Sequence, residues 1–301
     1  MQRYDSRNDN LKVYVNGLVD RAEAKVSVFD SIVQGGDGVW EGLRVYKGRK
    51  IFRLSRHLRR LRESAHALAF EAVPAEQEIR QAIYDTLEAN GMSDDSHIRL
   101  TLTRGEKITS GMDPRLNQKG CTLIVLAEWK PPIYDHLNAG AGIRLITSSI
   151  RRNSPATLDS RIHHNNLLNN ILAKVEANLA GVDDAVMLDL DGFLAETNAT
   201  NLFVVRQGEL LTPFADACLP GVTREVVLEL AQSLGIPCRE ARITTTDLYT
   251  AQEAFTTGTM GELSKVLEAD GRTVGDGETP VLERLQKAFH DYTRANAEAI
   301  I

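Results

Sequence analysis

Along the first half of the chain, apolar and polar positions keep switching period. Val13 and Val15 alternate with polar neighbours and run into Asn16-Gly17, the pair that favours a two-residue hairpin turn, so residues 12–28 read as a hairpin. The glycine-dense GGDGVWEG at 35–42 reads as a loop, followed by strands at 43–46 and 51–54 around a Lys47-Gly48 turn. Ser55 is the expected N-cap of a helix to about Leu68 that is leucine-lined on one side and basic on the other. Pro74 opens a second helix ending near Gly91, and strands are expected at 97–103 and 121–127. Strands and helices in this order make an α+β unit with a largely antiparallel sheet.

The second half is organised around 160–201. A polar strand end at 160–166 leads into a helix whose Leu168, Ile171, Leu172, Val175 and Leu179 recur at i, i+3, i+4 and i+7, the spacing of a core-facing stripe. Ala180-Gly181 closes it, a buried-type strand occupies 185–190, and after an Asp191-Gly192 turn a second strand ends at Glu196. This arrangement predicts His163 and Glu196 on neighbouring strand ends. Further on come strands at 202–205 and 210–212, a helix capped by Thr223 with Val226, Val227, Leu230 and Leu234 inward, a glycine–threonine turn at 255–263, and a closing helix at 280–298. The polar DHLNAGAG at 135–142 is the expected link between a small domain, 1–134, and a larger one, 143–301.

Composition narrows the function. The 301 residues are 43% hydrophobic and 25% charged, an ordinary globular balance. A net charge of −6 argues against nucleic-acid binding. Cys121, Cys218 and Cys238 are widely spaced and odd in number, which suits a reducing cytoplasm and offers no metal spacing. The polar opening MQRYDSRNDN has no apolar signal segment, and no run is long enough to span a membrane.

Two turns suit an anion. Gly221-Val222-Thr223 offers backbone N–H groups and a hydroxyl at a helix start, and Gly258-Thr259 offers another such turn. Arg44 is positioned to add a bidentate charge, and Glu196, set among threonine and asparagine, can accept from a protonated ring nitrogen. His163 and His164 are adjacent, so on a strand they face opposite ways and cannot share one metal. A nucleotide-binding P-loop and a serine-hydrolase elbow are both absent from the sequence.

In order, GDGVWEGLRVYKG, FRLSRHLRRLRESA, TRGEKITSGMDPR, RRNSPATLDSRI, LLNNILAKVEANLAG, AETNATNLFVV, LTPFADACLPGVTR and FTTGTMGEL together resemble the class IV (fold-type IV) pyridoxal-phosphate aminotransferases. IRLTLTRG, GMDPR and RRNSPATLD give the resemblance a branched-chain flavour. It implies a small α/β sandwich domain, a larger pseudo-barrel domain, and a homodimer with both subunits lining each site. It also implies that pyridoxal 5'-phosphate is held by Arg44, Val222, Thr223 and Thr259 at its phosphate, Glu196 at its pyridine nitrogen and Leu219 against its ring. Arg99 then meets a substrate carboxylate, with Trp129 bordering the same pocket; the substrates are an amino acid and a 2-oxo acid.

The centre departs from the family. The register fixed by LLNNILAKVEANLAG puts His163 at the Schiff-base lysine position. Imidazole cannot make that covalent link, although it hydrogen-bonds and can act as acid or base near neutral pH. Losing the lysine removes a tether and a proton shuttle, the latter worth about 10²–10⁴-fold in rate. Gly35 and Leu167 stand where many members carry tyrosines. As substitutes, Lys174 is expected to face solvent, and Lys265 to be carried away along a strand from Thr259. The expectation is a slow aminotransferase-type protein with noncovalent cofactor; a lyase or racemase using His163 as base, or a silent ligand-binding dimer, are the alternatives.

Overall fold

The structure, a computed structural model, describes residues 4–130 and 142–301. The expected link at 135–142 therefore lies outside the described residues except for Gly142. Two compact units emerge, and they do not follow a single cut. One gathers the described residues before 131 with Ile162–Leu167 and Arg294–Ile301; the other holds the rest.

The first unit is built on an antiparallel sheet of β1 (Lys12–Val15), β2 (Leu18–Asp20), β3 (Gly38–Tyr46), β4 (Lys50–Phe52), β5 (Ser96–Thr103) and β6 (Thr122–Trp129). The expected hairpin forms with Val13 opposite Val19, and ends at Asp20 because its second strand is short. Helix α1 (Ser31–Gly35) precedes β3, while α2 (Leu54–Ala67) and α3 (Glu76–Ala89) cover one sheet face. Leu54, Leu58 and Leu61 of α2 and Ile79, Ile83 and Leu87 of α3 follow helical spacing and are fully buried. They meet Leu43 and Val45 of β3, Ile98, Leu100 and Leu102 of β5, and Val125 and Ala127 of β6. Each such side chain contributes roughly 1.5–3 kcal/mol on burial.

Two local expectations change here. GGDGVWEG is mostly strand, since β3 starts at Gly38. Gly36 turns the chain out of α1 in the left-handed region, whereas Gly38 and Gly42 serve close approach: a Cβ at Gly38 would lie 3.2 Å from Asn165 Oδ1, and one at Gly42 would lie 3.3 Å from His97 Nε2. Ser55 does not cap α2; Arg53 does, in a left-handed conformation, and the Ser55 hydroxyl bonds Glu298 instead.

In the second unit lie β7 (Ile143–Thr147), α4 (Leu168–Leu179), β8 (Asp184–Leu188), β9 (Leu194–Thr197), β10 (Asn201–Arg206), β11 (Glu209–Pro213), α5 (Val222–Ser233), β12 (Cys238–Ala241), α6 (Thr245–Tyr249), β13 (Glu253–Gly258), β14 (Glu262–Ala269), β15 (Arg272–Thr273) and, up to Thr293, α7 (Pro280–Ala295). The last strand, β16 (Ala297–Ala299), belongs to the first unit and pairs with β4. The mixed sheet runs β12-β11-β10-β13-β14-β7-β8-β9. Between β9 and β10 stand only residues 198–200, about 10 Å of chain. On a flat sheet the two strands would be roughly 24 Å apart, so the sheet has to curl into a half-barrel.

The stripe on α4 is the largest departure. Leu168, Ile171, Leu172, Val175 and Leu179 are all exposed, Leu179 by 84%. The buried face is instead Asn170, Ala173 and Ala177, packed on Ala185 and Met187 of β8. Small residues let the helix lie close on the sheet, and periodicity alone cannot tell a core stripe from an apolar face turned outward. No helix among the described residues is long and apolar enough to cross a membrane.

Candidate functional site

In the first unit, chemistry gathers on both faces of β3. Alternation sends Val39, Glu41, Leu43 and Val45 to the helix-covered side, and Trp40, Gly42 and Arg44 to the other. Residues 163–165 lie along the edge of β3 beyond the reach of β4. Trp40 N donates to His163 O at 2.9 Å, and Asn165 N donates to Gly38 O at 2.7 Å. An isolated bridge joins Val39 and His164. His163 is thus on an irregular segment that borrows a strand edge; the expected strand at 160–166 does not form.

Glu41 is fully buried. Its Oε1 accepts from Arg60 Nε at 2.7 Å and faces His163 Nδ1 at 3.2 Å. Its Oε2 accepts from Arg60 Nη2 at 2.7 Å and faces His57 Nδ1 at 2.7 Å. Burial opposes the charge on Glu41, but Arg60, with His163, holds its carboxyl well below the usual range. The His163 ring packs on Trp40 at 4.1 Å between centroids. Its burial pushes the imidazole pKa down to about 4, Glu41 opposing and Arg60 and Arg99 assisting. The group expected to titrate near neutrality is therefore a neutral imidazole there.

On the other face, Arg44 stands opposite His97, and Gly42 opposite Arg99. Arg44 is buried, with Asp95 Oδ1 3.6 Å from its guanidinium. Arg99 lies 3.4 Å over the Trp40 ring and makes no ion pair among the described residues; burial lowers its pKa to about 10. It suits an incoming carboxylate. His97, between these arginines, has its Nε2 buried without a hydrogen-bond partner among the described residues, and burial, then Lys130 and the two arginines, lower its pKa to about 3. Trp129 does not share this surface. It opposes Ser96, packs towards the helix-covered core and carries the Arg7 guanidinium 4.2 Å above its ring, so the expected role beside Arg99 is corrected by strand parity.

Both depressed histidines have a consequence in acid. Between pH of about 6.5 and 4, the unfolded chain binds protons that folded His163 and His97 refuse, so stability rises with pH across this window and is fully present above it. Urea midpoints should fall between pH 6.5 and 4.5, and His97→Gln should flatten the slope; an unchanged slope would refute the assignment.

The second unit holds a compact polar set around Glu196, which is buried at the end of β9. Glu196 Oε1 accepts from Arg152 Nε at 2.6 Å and from Leu219 N at 3.4 Å, and Oε2 accepts from Asn201 Nδ2 at 3.2 Å. Burial raises its pKa, with Arg152 opposing. Arg152 also reaches Asn170 Oδ1 at 3.4 Å. Asn201 Nδ2 donates at 2.9 Å to the Leu219 carbonyl as well, and its Oδ1 occupies the space that a Cβ on Gly221 would need. Only glycine fits there.

Gly221 caps α5 without any side-chain hydrogen bond, which leaves the N–H groups of its first turn for an anion. Thr223, expected as the cap, sits inside the helix, buried, with Val222 before it. Thr259 follows β13 in the turn, half-buried. Thr257, opposite Asn201, keeps a buried hydroxyl with no partner among the described residues. Val222, Thr223, Leu219 and Glu196 therefore fall in one neighbourhood through Asn201. Reading the sequence missed Asn201, Arg152 and Asn170; AETNATN, RRN and LLNNIL carried the signal. Of the substitute lysines, Lys174 bonds the Asp183 carbonyl and Lys265 bonds Gly277 O at 2.6 Å, so both amines are engaged.

A model of the amino-transferase class IV family matches residues 38–269. Branched-chain-amino-acid aminotransferase-like protein 2 of Arabidopsis thaliana is 60% identical over 277 residues, covering 92% of this chain and 49% of its own length. The chain thus spans about half the length of that curated relative. A putative branched-chain-amino-acid aminotransferase of Methanocaldococcus jannaschii is 40% identical over 284 residues, 93% of this chain and 96% of that one. Among solved structures, the Escherichia coli branched-chain amino acid aminotransferase superposes with a TM-score of 0.88 at 30% identity, covering 97% of this chain and 100% of that one. The Thermobaculum terrenum branched-chain amino acid aminotransferase, solved in its PLP form, does so with a TM-score of 0.84 at 26% identity, covering 96% of this chain and 95% of that one. The half-barrel, the strand-end glutamate and the bare helix start occur here in a chain that belongs to the class IV aminotransferases.

Proposed function

We propose that this chain is an aminotransferase-type protein for branched-chain-like amino acids and 2-oxo acids, binding pyridoxal 5'-phosphate without a covalent tether and turning over slowly. The observation that carries the reading is the Glu196 set. A buried carboxylate with acceptor capacity left on Oε2, a helix start without a side-chain cap and a Thr257 hydroxyl with no partner among the described residues fit a ring nitrogen and a phosphate. Glu196 would hold the pyridine nitrogen, Leu219 one ring face, and Val222, Thr223 and Thr259 the phosphate. Arg44 and Arg99 keep the phosphate and substrate-carboxylate roles that the family resemblance gives them. Bound cofactor supplies an electron sink for charge developing at the amino acid's α-carbon.

The residues of the chain do the rest. Arg152 opposes the burial penalty on the Glu196 charge and aims the carboxylate, and Asn201 ties it to Leu219. His163 offers a neutral ring where a lysine would offer an amine, so substrate binding has no covalent partner in the protein. An absorbance titration with pyridoxal phosphate, then leucine and 2-oxoglutarate with glutamate followed, tests this reading. Absence of saturable binding removes it; binding without glutamate formation points to a lyase, a racemase or a silent homologue. Glu196→Gln should weaken cofactor binding by about 10–100-fold, the worth of one charged hydrogen bond. Equal affinity in that titration would exclude Glu196 from the site.

The outward apolar stripe of α4 supports a homodimer. An exposed row of five large apolar side chains is the kind of surface that a second subunit covers. Ile171→Asp with Leu172→Asp should raise the dimer dissociation constant by about 10³-fold or more, since each buried unpaired carboxylate costs several kcal/mol. Sedimentation velocity would show a monomer; an unchanged dimer would place the interface elsewhere.

A further inference from the structure

We propose that Glu41 is a positioning residue for His163: it accepts the Nδ1 proton of that ring and so fixes the tautomer in which Nε2 presents a lone pair to an N–H donor such as a substrate amino group. The purpose rests on the proposed amino-group chemistry; the tautomer does not.

The argument is a count of donors and lone pairs. An ionised carboxylate only accepts, at about four lone-pair positions. Arg60 takes one position on each oxygen of Glu41, and the guanidinium cannot give up its protons. The remaining position on Oε1 faces His163 Nδ1, and that on Oε2 faces His57 Nδ1. Two acceptors at 2.7–3.2 Å would repel, so both ring nitrogens carry hydrogen. Burial, with the neighbouring charges, then decides how many protons His163 holds. Burial of the ring disfavours an imidazolium most, and Arg60 and Arg99 offset part of the stabilisation that Glu41 would give it. His57, Glu41, Arg60 and Arg99 are the titratable groups gathered around it from α2, β3 and β5. His163 is thus neutral, protonated on Nδ1, with Nε2 in no hydrogen bond among the described residues. Its backbone is held as well, since His163 N donates to Ser64 Oγ at 3.1 Å.

The test uses ¹⁵N-labelled protein without cofactor, in a long-range ¹H–¹⁵N correlation at pH 7. His163 is assigned by the signals lost in His163→Gln, among seven histidines. The expected pattern is a protonated Nδ1 and a bare, pyridine-type Nε2, with the Nδ1 proton far downfield as a carboxylate acceptor requires. A proton on Nε2, or on both nitrogens, would overturn the proposal. In Glu41→Gln the tautomer should mix or switch; an unchanged pattern in a folded variant would show that something else sets it. If that variant does not fold, the Nδ1 proton of the parent decides: an ordinary shift, without the downfield displacement, counts against Glu41. Failure here leaves the cofactor titration untouched, and failure of the titration leaves the tautomer untouched.

Discussion

Lysine in place of His163 should turn a cofactor complex that gel filtration strips into one that survives it, and should raise amino transfer from leucine to 2-oxoglutarate by about 10²–10⁴-fold. The surroundings of residue 163 favour this result. Glu41 is already paired with Arg60, and Arg99 adds a further cation, so an ammonium there would be disfavoured by burial and by like charge. A lysine amine at that position is therefore held neutral and nucleophilic, the state that bonds an aldehyde. Retention of the cofactor's own absorbance band through gel filtration reads cofactor binding apart from turnover. A variant that binds no more firmly than the parent would show that the pocket has changed beyond one residue.

Replacing Glu41 by leucine should cost about 3–5 kcal/mol, the usual loss when one partner of a buried ion pair is removed. Three groups lose their acceptor at once: Arg60, His57 and His163. Arg60 is the expensive one, because its charge is buried and permanent. Both tryptophans of the chain, Trp40 and Trp129, lie in the first unit, so fluorescence-monitored urea unfolding reads the unit that contains the change. Adding Arg60→Leu should restore much of the loss, since an apolar pair of similar volume removes the stranded charge. A single variant as stable as the parent would mean that Glu41 contributes specificity and no stability.

Much of this was legible in the order of motifs and in local chemistry. Asn16-Gly17 announced a hairpin, and the strand expected at 97–103 forms as β5, which carries Arg99. What failed did so where local pattern and tertiary use diverge. Gly38 and Gly42 looked like loop residues because glycine marks both turns and close contacts, and only the neighbouring strands and residue 165 reveal which. The stripe on α4 has a core-facing period, but the burial goes to Asn170, Ala173 and Ala177. Trp129 was misplaced by one strand parity, a shift of a single residue that moves a side chain to the opposite face. Glu41 drew no attention in the sequence, since a carboxylate in a strand gives no sign of its three long-range partners until α2 and residue 163 are folded against it.

The hexapeptide Ile162–Leu167 and the strand β16 share a task that reaches beyond chemistry. Each lies against an otherwise bare border of the first sheet: residues 163–165 beside β3, and β16 beside β4. A fragment ending before residue 143 would lack both selvedges and would offer unpaired backbone amides to any passing strand, the usual route to self-association. The first unit is thus hemmed by chain made much later in synthesis, and its sheet is finished only once β16 has been added.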